Sequence, residues 1–321
     1  MESISIEIKK TELINEIAQL GKRNKRIHGI MVLQNDTILL DEVFNGYDKD
    51  SNHNLFSVTK SVISLLIGIA VEKGYINSVE DKVIDLIPNY INHITNDKKD
   101  LKLKHLLNMR TGLKWDELTH FGRNDGLWNQ FLKSTDPGAF VLKQPLETQV
   151  DKVYNYNSGV SHLLSLIIED NCPCSTFEFA QKELFGPLEI NLENEQWTRD
   201  INNVVYGGHG LHLKMKDLMK IGKLILENGT YNNKQILSKT WLEESFKAYS
   251  EMTRGYEGYG YQWWLGNVSG IPFAGAFGHG GQRLYLFKKM NLGIVFLGNV
   301  KPEFGIQERL IRKYMMNSND V

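Results

Sequence analysis

One Ser-x-x-Lys occurs in the chain, Ser57 and Lys60 in the stretch "NLFSVTKSVISLLIG" at residues 54–68. On a helix, residues three apart share a face, so the lysine amine can reach the serine hydroxyl one turn away. A serine hydroxyl is a poor nucleophile until a base takes its proton. Lysine can be that base when burial or nearby positive charge lowers its pKa, and the apolar run after Lys60 supplies such a setting. A serine at a helix N-terminus also gains from the first-turn amides, which stabilise developing negative charge. The competing reading is two polar residues opening a buried helix, since a chain of this length holds about one such motif by chance.

Two further stretches could join this pair. In "VYNYNSGVSHLLSLII", Tyr154 and Tyr156 lie in a polar, glycine-containing loop that runs into a helix. A tyrosine beside a lysine can share its proton, acting as partner base to the nucleophile and as acid to the leaving group; a tyrosine there can also simply pack between lobes. In "FGHGGQRLYLF", His279, Gly280 and Gly281 lie where one strand run ends and the next begins, and glycines there let a ligand approach the backbone. A backbone amide near Gln282 would complete an oxyanion hole with the amide of Ser57, and His279 brings a donor whose charge changes near neutral pH. The "HGLH" at 209–212 lacks the glutamate of a zinc-binding H-E-x-x-H, so no metal is expected, and His209 reads as near the cleft because Gly-Gly-x-Gly permits close approach. No G-x-S-x-G elbow and no phosphate loop occur, and no cofactor is implied.

The elements that must position these residues follow from periodicity. Residues 11–24 have helical spacing. The strand-like runs "IHGIMVLQ" and "TILLDEVF" are separated by Asn35-Asp36, a hairpin turn, and the helix near Ser57 follows. From about 75 to 250 helix follows helix, with stops at Gly112, Gly186-Pro187 and Gly229. Strands return in "GYGYQWWLG", "IPFAGAFGHGG", "RLYLFKKM" and "LGIVFLGN", where Tyr259, Tyr261, Trp263 and Trp264 alternate at strand period, and a last helix covers "FGIQERLIRKYM". The expected fold class is α+β: an antiparallel sheet from both chain ends, flanked by helices, with an inserted mostly helical lobe. The sheet lobe is assigned to 1–75 and 250–321 and the helical lobe to 76–249.

Composition bounds the function. Lys and Arg number 37 against 38 Asp and Glu, so no surface built for nucleic acid or anionic lipid is expected. The longest apolar run, "VISLLIGIAV", is too short to span a bilayer, and no signal peptide is visible, so the protein is expected to be cytoplasmic with no membrane partner. The two cysteines of "NCPCS" flank a proline and read as reduced thiols.

Together, the three pieces resemble the serine β-lactamase and penicillin-binding protein superfamily, whose elements are Ser-x-x-Lys, a Tyr/Ser-x-Asn loop and a Lys-Thr-Gly strand. More specifically, the chain is similar to the class C β-lactamase-like hydrolases, the group holding family VIII esterases and 6-aminohexanoate-dimer hydrolases. "LLNMRTGLKWDE", "YNYNSG", "GGHGLHLKMKDLMKIGKLILENGTYNNKQILSKTWLEES", "YGYQWWLG" and "GHGGQ" carry the likeness from about 28 to 315. The resemblance implies a β-lactamase/transpeptidase-like fold, with Ser57 acylated, Lys60 its base partner and Tyr156 the tyrosine of the middle loop. Ser158 would be the third member of that loop, and His279-Gly280-Gly281 would stand where Lys-Thr-Gly usually does. Ser158 removes an amide that usually holds lysine and substrate, and His279 removes a permanent charge that docks a carboxylate. Both departures weigh against efficient β-lactamase or transpeptidase activity and leave acyl transfer intact. The expected function is a serine hydrolase cleaving a small-molecule ester, amide or peptide through an acyl-enzyme. The alternatives are a β-lactamase or D-amino-acid peptidase, and a ligand-binding relative without turnover.

Overall fold

The first hairpin follows from its turn. Asn35 and Asp36 both take positive φ, 48° and 63°, the pair of left-handed residues that a two-residue hairpin loop needs and that Asn and Asp tolerate. The turn joins β1 (Ile27–Gln34) to β2 (Thr37–Val43). The computed structural model describes residues 14–19, 21–120, 122–251, 256–299, 305 and 307–312. Later in the chain come β3 (Ser250–Glu251), β4 (Gly258–Tyr259), β5 (Trp264–Val268), β6 (Ile271–Gly278), β7 (Gln282–Phe287) and β8 (Leu292–Gly298). These eight strands make one sheet in the order β2-β1-β8-β7-β6-β5-β4-β3, antiparallel throughout. The N-terminal hairpin therefore docks beside the last strand, and the sheet is assembled from both chain ends, as expected.

Both faces of the central strands are covered, so these strands read as continuous apolar runs. Leu284, Leu286, Val295 and Leu297 belong to one core, and the intervening Tyr285, Phe287, Ile294 and Phe296 belong to the other. Against the first face lie α1 (Val58–Glu72) and α3 (Met215–Leu226). Every residue of α1 from Val58 to Ala70 is buried, the property of a helix apolar on all sides. Between them in sequence, α2 (Ser158–Asn171) packs on α1, and its N-cap Asn157 accepts the Val160 amide at 3.1 Å.

Three expectations change. The stretch "GYGYQWWLG" is two strands rather than one, because Gln262 takes φ of 64° in a turn between β4 and β5. Tyr261 and Trp263 thus lie in that turn, outside any strand alternation. "RLYLFKKM" leaves the sheet at Phe287 and closes in a 3-10 turn, Lys288–Met290. Gly112 does not cap a helix directly, since Leu103–Leu107 ends earlier; its φ of 74° lets it meet the Thr148 carbonyl, which a Cβ would approach to 2.4 Å. For the first helix, residues 14–19 and 21–23 are helical, and 11–13 and 20 lie outside the described residues. For the last, 307–312 are helical, and 304, 306 and 313–315 lie outside them. Both cysteines are free. No helix among the described residues is long and apolar enough to cross a membrane.

Candidate active site

Ser57 stands at a strained elbow. Phe56 just before it takes φ of 48°, a region that non-glycine residues adopt only when their surroundings impose it. Here Asn54 imposes it, its side-chain oxygen accepting the Phe56 amide at 2.9 Å. The short pairing of His53–Asn54 with His212–Leu213, and the Leu55 amide donating to Leu211 at 2.8 Å, hold the elbow from outside. Gly278 lets β6 close on it, since a Cβ there would fall 2.2 Å from the Leu55 carbonyl oxygen. Ser57 becomes the N-cap of α1 without using its side chain as a cap, and its amide has no hydrogen-bond partner among the described residues.

The Ser57 hydroxyl lies 3.0 Å from Lys60 Nζ. Lys60 is 1% exposed, and its amine also reaches the Ser158 hydroxyl at 2.6 Å and the Gly208 carbonyl at 2.8 Å. Burial brings its pKa down to about 8, against the opposing charge of Glu117. The amine sits 4.7 Å from the centre of the Tyr156 ring, a cation–π distance in the charged form. Tyr156 is held well above the ordinary phenol range, chiefly by burial and then by Glu117, while a hydrogen bond with Ser57 and the charge of Arg283 pull the other way. The lysine and the phenol are thus pushed apart in opposite senses, which separates a base from an acid.

Of the two tyrosines in the loop, the structure brings Tyr156 to the lysine and sends Tyr154 elsewhere. Tyr154 packs at 5.1 Å from Tyr259, with its hydroxyl buried and unpartnered. The Gly-Gly of "YGGHG" serves close approach of α2 rather than of a ligand. A Cβ on Gly207 would lie 2.0 Å from the Ser161 carbonyl oxygen, and one on Gly208 2.7 Å from the Ser158 carbonyl oxygen. That approach delivers the Gly208 carbonyl to Lys60. His209 follows beside the site, stacked on Tyr206 at 4.5 Å and edge-on to Trp128 at 4.8 Å. Burial first, then Lys60 and His162, hold its pKa down to about 3, and its Nε2 is buried without a partner.

His279 reaches the elbow from the opposite side, its ring 5.5 Å from that of Phe56. It is exposed. Gly280 and Gly281 take φ of 73° and 83°, which the tight turn from β6 into β7 requires. The Gln282 side chain is committed to β8, donating to the Gly298 carbonyl at 2.6 Å and accepting its amide at 3.2 Å.

Three contributors had no distinguishing signal in the sequence. Glu117 accepts the Ser158 amide at 2.9 Å and hydroxyl at 2.6 Å; in "KWDE" it looks like any surface acid. Arg283 supplies a permanent cation that His279 does not. Its Nη1 donates to the Gly278 and Gln282 carbonyls at 2.6 and 3.0 Å, and its Nε is buried and unpartnered. Gln262 ties α1 and α2 together, its carbonyl accepting Ser61 and its side-chain oxygen accepting Ser161, each at 2.7 Å.

Comparison with known proteins gives a family and a fold. A family model described as Beta-lactamase matches residues 14–314. The 6-aminohexanoate-dimer hydrolase of Paenarthrobacter ureafaciens is 22% identical over 293 residues, covering 84% of this chain and 71% of that protein. A Bacillus anthracis structure provisionally assigned as a 6-aminohexanoate-dimer hydrolase superposes with a TM-score of 0.73 at 19% identity, covering 94% of this chain and 81% of its own. The octameric penicillin-binding protein homologue of Pyrococcus abyssi gives a TM-score of 0.69 at 21% identity, covering 98% and 77%. At such identities the solved structures establish the shared fold.

Proposed function

The chain belongs to the Beta-lactamase family, and from that premise we propose that it is a serine hydrolase cleaving a small ester or amide through an acyl-enzyme on Ser57. The observation that carries this reading is a buried lysine, its pKa brought to about 8, whose amine lies 3.0 Å from the Ser57 hydroxyl. Neutral Lys60 takes the Ser57 proton as the oxygen attacks the carbonyl carbon. Charge gathers on the former carbonyl oxygen, which the Ser57 and Gln282 amides would receive as an oxyanion hole. Tyr156 is kept protonated by its surroundings, so its role is that of acid, giving a proton to the departing alcohol or amine and recovering it from Lys60. The carbonyl–leaving-group bond breaks, leaving the ester on Ser57. Water then enters, and the same groups act in reverse to release the acid. His279 and His209 line the two sides of the substrate position. Similarity to a 6-aminohexanoate-dimer hydrolase supports a short linear amide as the first substrate class to try.

Ser57→Ala should abolish turnover of a nitrophenyl ester or short amide and should remove labelling by a fluorophosphonate, read by intact mass. Turnover persisting at the wild-type rate in that variant would refute the assignment.

A further inference from the structure

Glu117 is a buried acid, 4% exposed, and every contact it makes is one it accepts. Its Oε2 receives the Trp115 indole N–H at 2.9 Å and the Ser158 amide at 2.9 Å; its Oε1 receives the Ser158 hydroxyl at 2.6 Å. Three donors and no donation is the pattern of an ionised carboxylate. Lys60 feels its charge, and the two meet through the Ser158 hydroxyl. Amine and carboxylate each lie 2.6 Å from the same hydroxyl oxygen, so they stand at most about twice that far apart.

Hydrogens can be assigned along this chain. The Ser158 hydroxyl has one, given to Glu117, so toward Lys60 it can only accept. A neutral lysine amine has two, and its two acceptors are the Ser158 oxygen and the Gly208 carbonyl. What remains on nitrogen is the lone pair, and the remaining neighbour is the Ser57 hydroxyl. We propose that Glu117 is a positioning residue that, by fixing the direction of the Ser158–Lys60 hydrogen bond, aims the lone pair of Lys60 at Ser57.

This rests on the reading of Ser57 and Lys60 as nucleophile and base. It also accounts for the departure at Ser158: a hydroxyl can hold the lysine as an amide would, provided an acceptor behind it removes the choice of direction. The charge of Glu117 has a second effect, favouring the ammonium and so raising the pH at which Lys60 becomes a base. The other titratable groups facing this pair are Tyr156 beside Lys60, His209 behind Gly208, and Tyr154 and Tyr259, which feel Glu117.

Replacing Glu117 by Gln puts an N–H donor where an acceptor stood, frees the Ser158 hydroxyl to turn on the lysine lone pair, and removes the charge. The test is the rate of Ser57 acylation by a nitrophenyl ester between pH 5 and 10, followed by intact mass in wild type, Glu117→Gln and Glu117→Asp. Wild-type acylation should rise with pH around 8. In Glu117→Gln the midpoint should fall by about one to two pH units, and the plateau by about 10- to 100-fold. Glu117→Asp, which keeps the charge, should hold the midpoint and lose only plateau. A Gln variant that keeps the wild-type plateau overturns the proposal whatever its midpoint does, and so does an Asp variant whose midpoint shifts as far as that of the Gln variant, because the two substitutions would then not separate the charge from the direction of the hydrogen bond. Should the Gln variant fail to fold, Ser158→Ala breaks the same link with the carboxylate in place; a wild-type plateau there overturns the proposal, and a plateau about tenfold or more lower supports it. A wild-type protein never acylated on Ser57 would instead overturn the proposed function itself, and this inference with it.

Discussion

Burying Lys60 costs stability in a pH-dependent way, and Lys60→Met measures that cost. Holding the pKa at about 8 rather than the ordinary 10.5 corresponds to roughly 3 kcal/mol. The variant removes that burden and strands the Gly208 carbonyl and Ser158 hydroxyl, each a loss of about 1–3 kcal/mol that does not vary with pH. The two effects nearly offset near neutrality, so the informative quantity is the slope. Between pH 8 and 10.5 the unfolded chain holds a proton on Lys60 that the folded chain does not, so wild-type stability rises with pH across that window. The gain is complete above the unfolded pKa and is lost as pH falls through the folded one. Urea unfolding of wild type and Lys60→Met at pH 7, 8.5 and 10 should therefore show wild type gaining up to about 3 kcal/mol on the variant. The buried tyrosines titrate in both proteins and largely cancel in the difference. A stability difference that stays flat over the whole range would refute the depressed lysine, and with it the main support for Lys60 as base. Turnover should be lost in the variant at every pH.

Gly208→Ala should reduce kcat by about tenfold or more, because the new Cβ would lie 2.7 Å from the Ser158 carbonyl oxygen and the backbone must carry the Gly208 carbonyl away from Lys60; wild-type turnover in the folded variant would count against that contact. Arg283, with its unpartnered Nε and its field at Tyr156, should favour substrates bearing a carboxylate. Arg283→Met should therefore lower the kcat/KM ratio of a carboxylate-terminated amide to its methyl ester by about tenfold, and an unchanged ratio would remove Arg283 from recognition.

Much of the sheet was legible because its signals are local. Asn35-Asp36 states its own turn, and the apolar runs of β6, β7 and β8 state burial on both faces. The misread stretch, "GYGYQWWLG", has strand composition and alternation throughout, and the turn at Gln262 is imposed from elsewhere: its amide donates to the Leu107 carbonyl at 2.9 Å, and its side chain donates to the Leu106 and Leu107 carbonyls. A glutamine bound by remote partners carries no turn signature of its own.

The sequence by itself determined the pair Ser57 and Lys60, because residues three apart on one helix are neighbours whatever the rest of the chain does. It also determined the order of the three pieces and the family they resemble. Only the tertiary structure decided the surroundings of the lysine amine. Ser158 is 98 residues from Lys60 in sequence and Gly208 is 148 away, and Glu117 enters through Ser158. Spacing can bring an amine to a hydroxyl, but the loss of water and the acceptors that replace it are supplied by segments whose approach depends on the packing of two helices and two glycines.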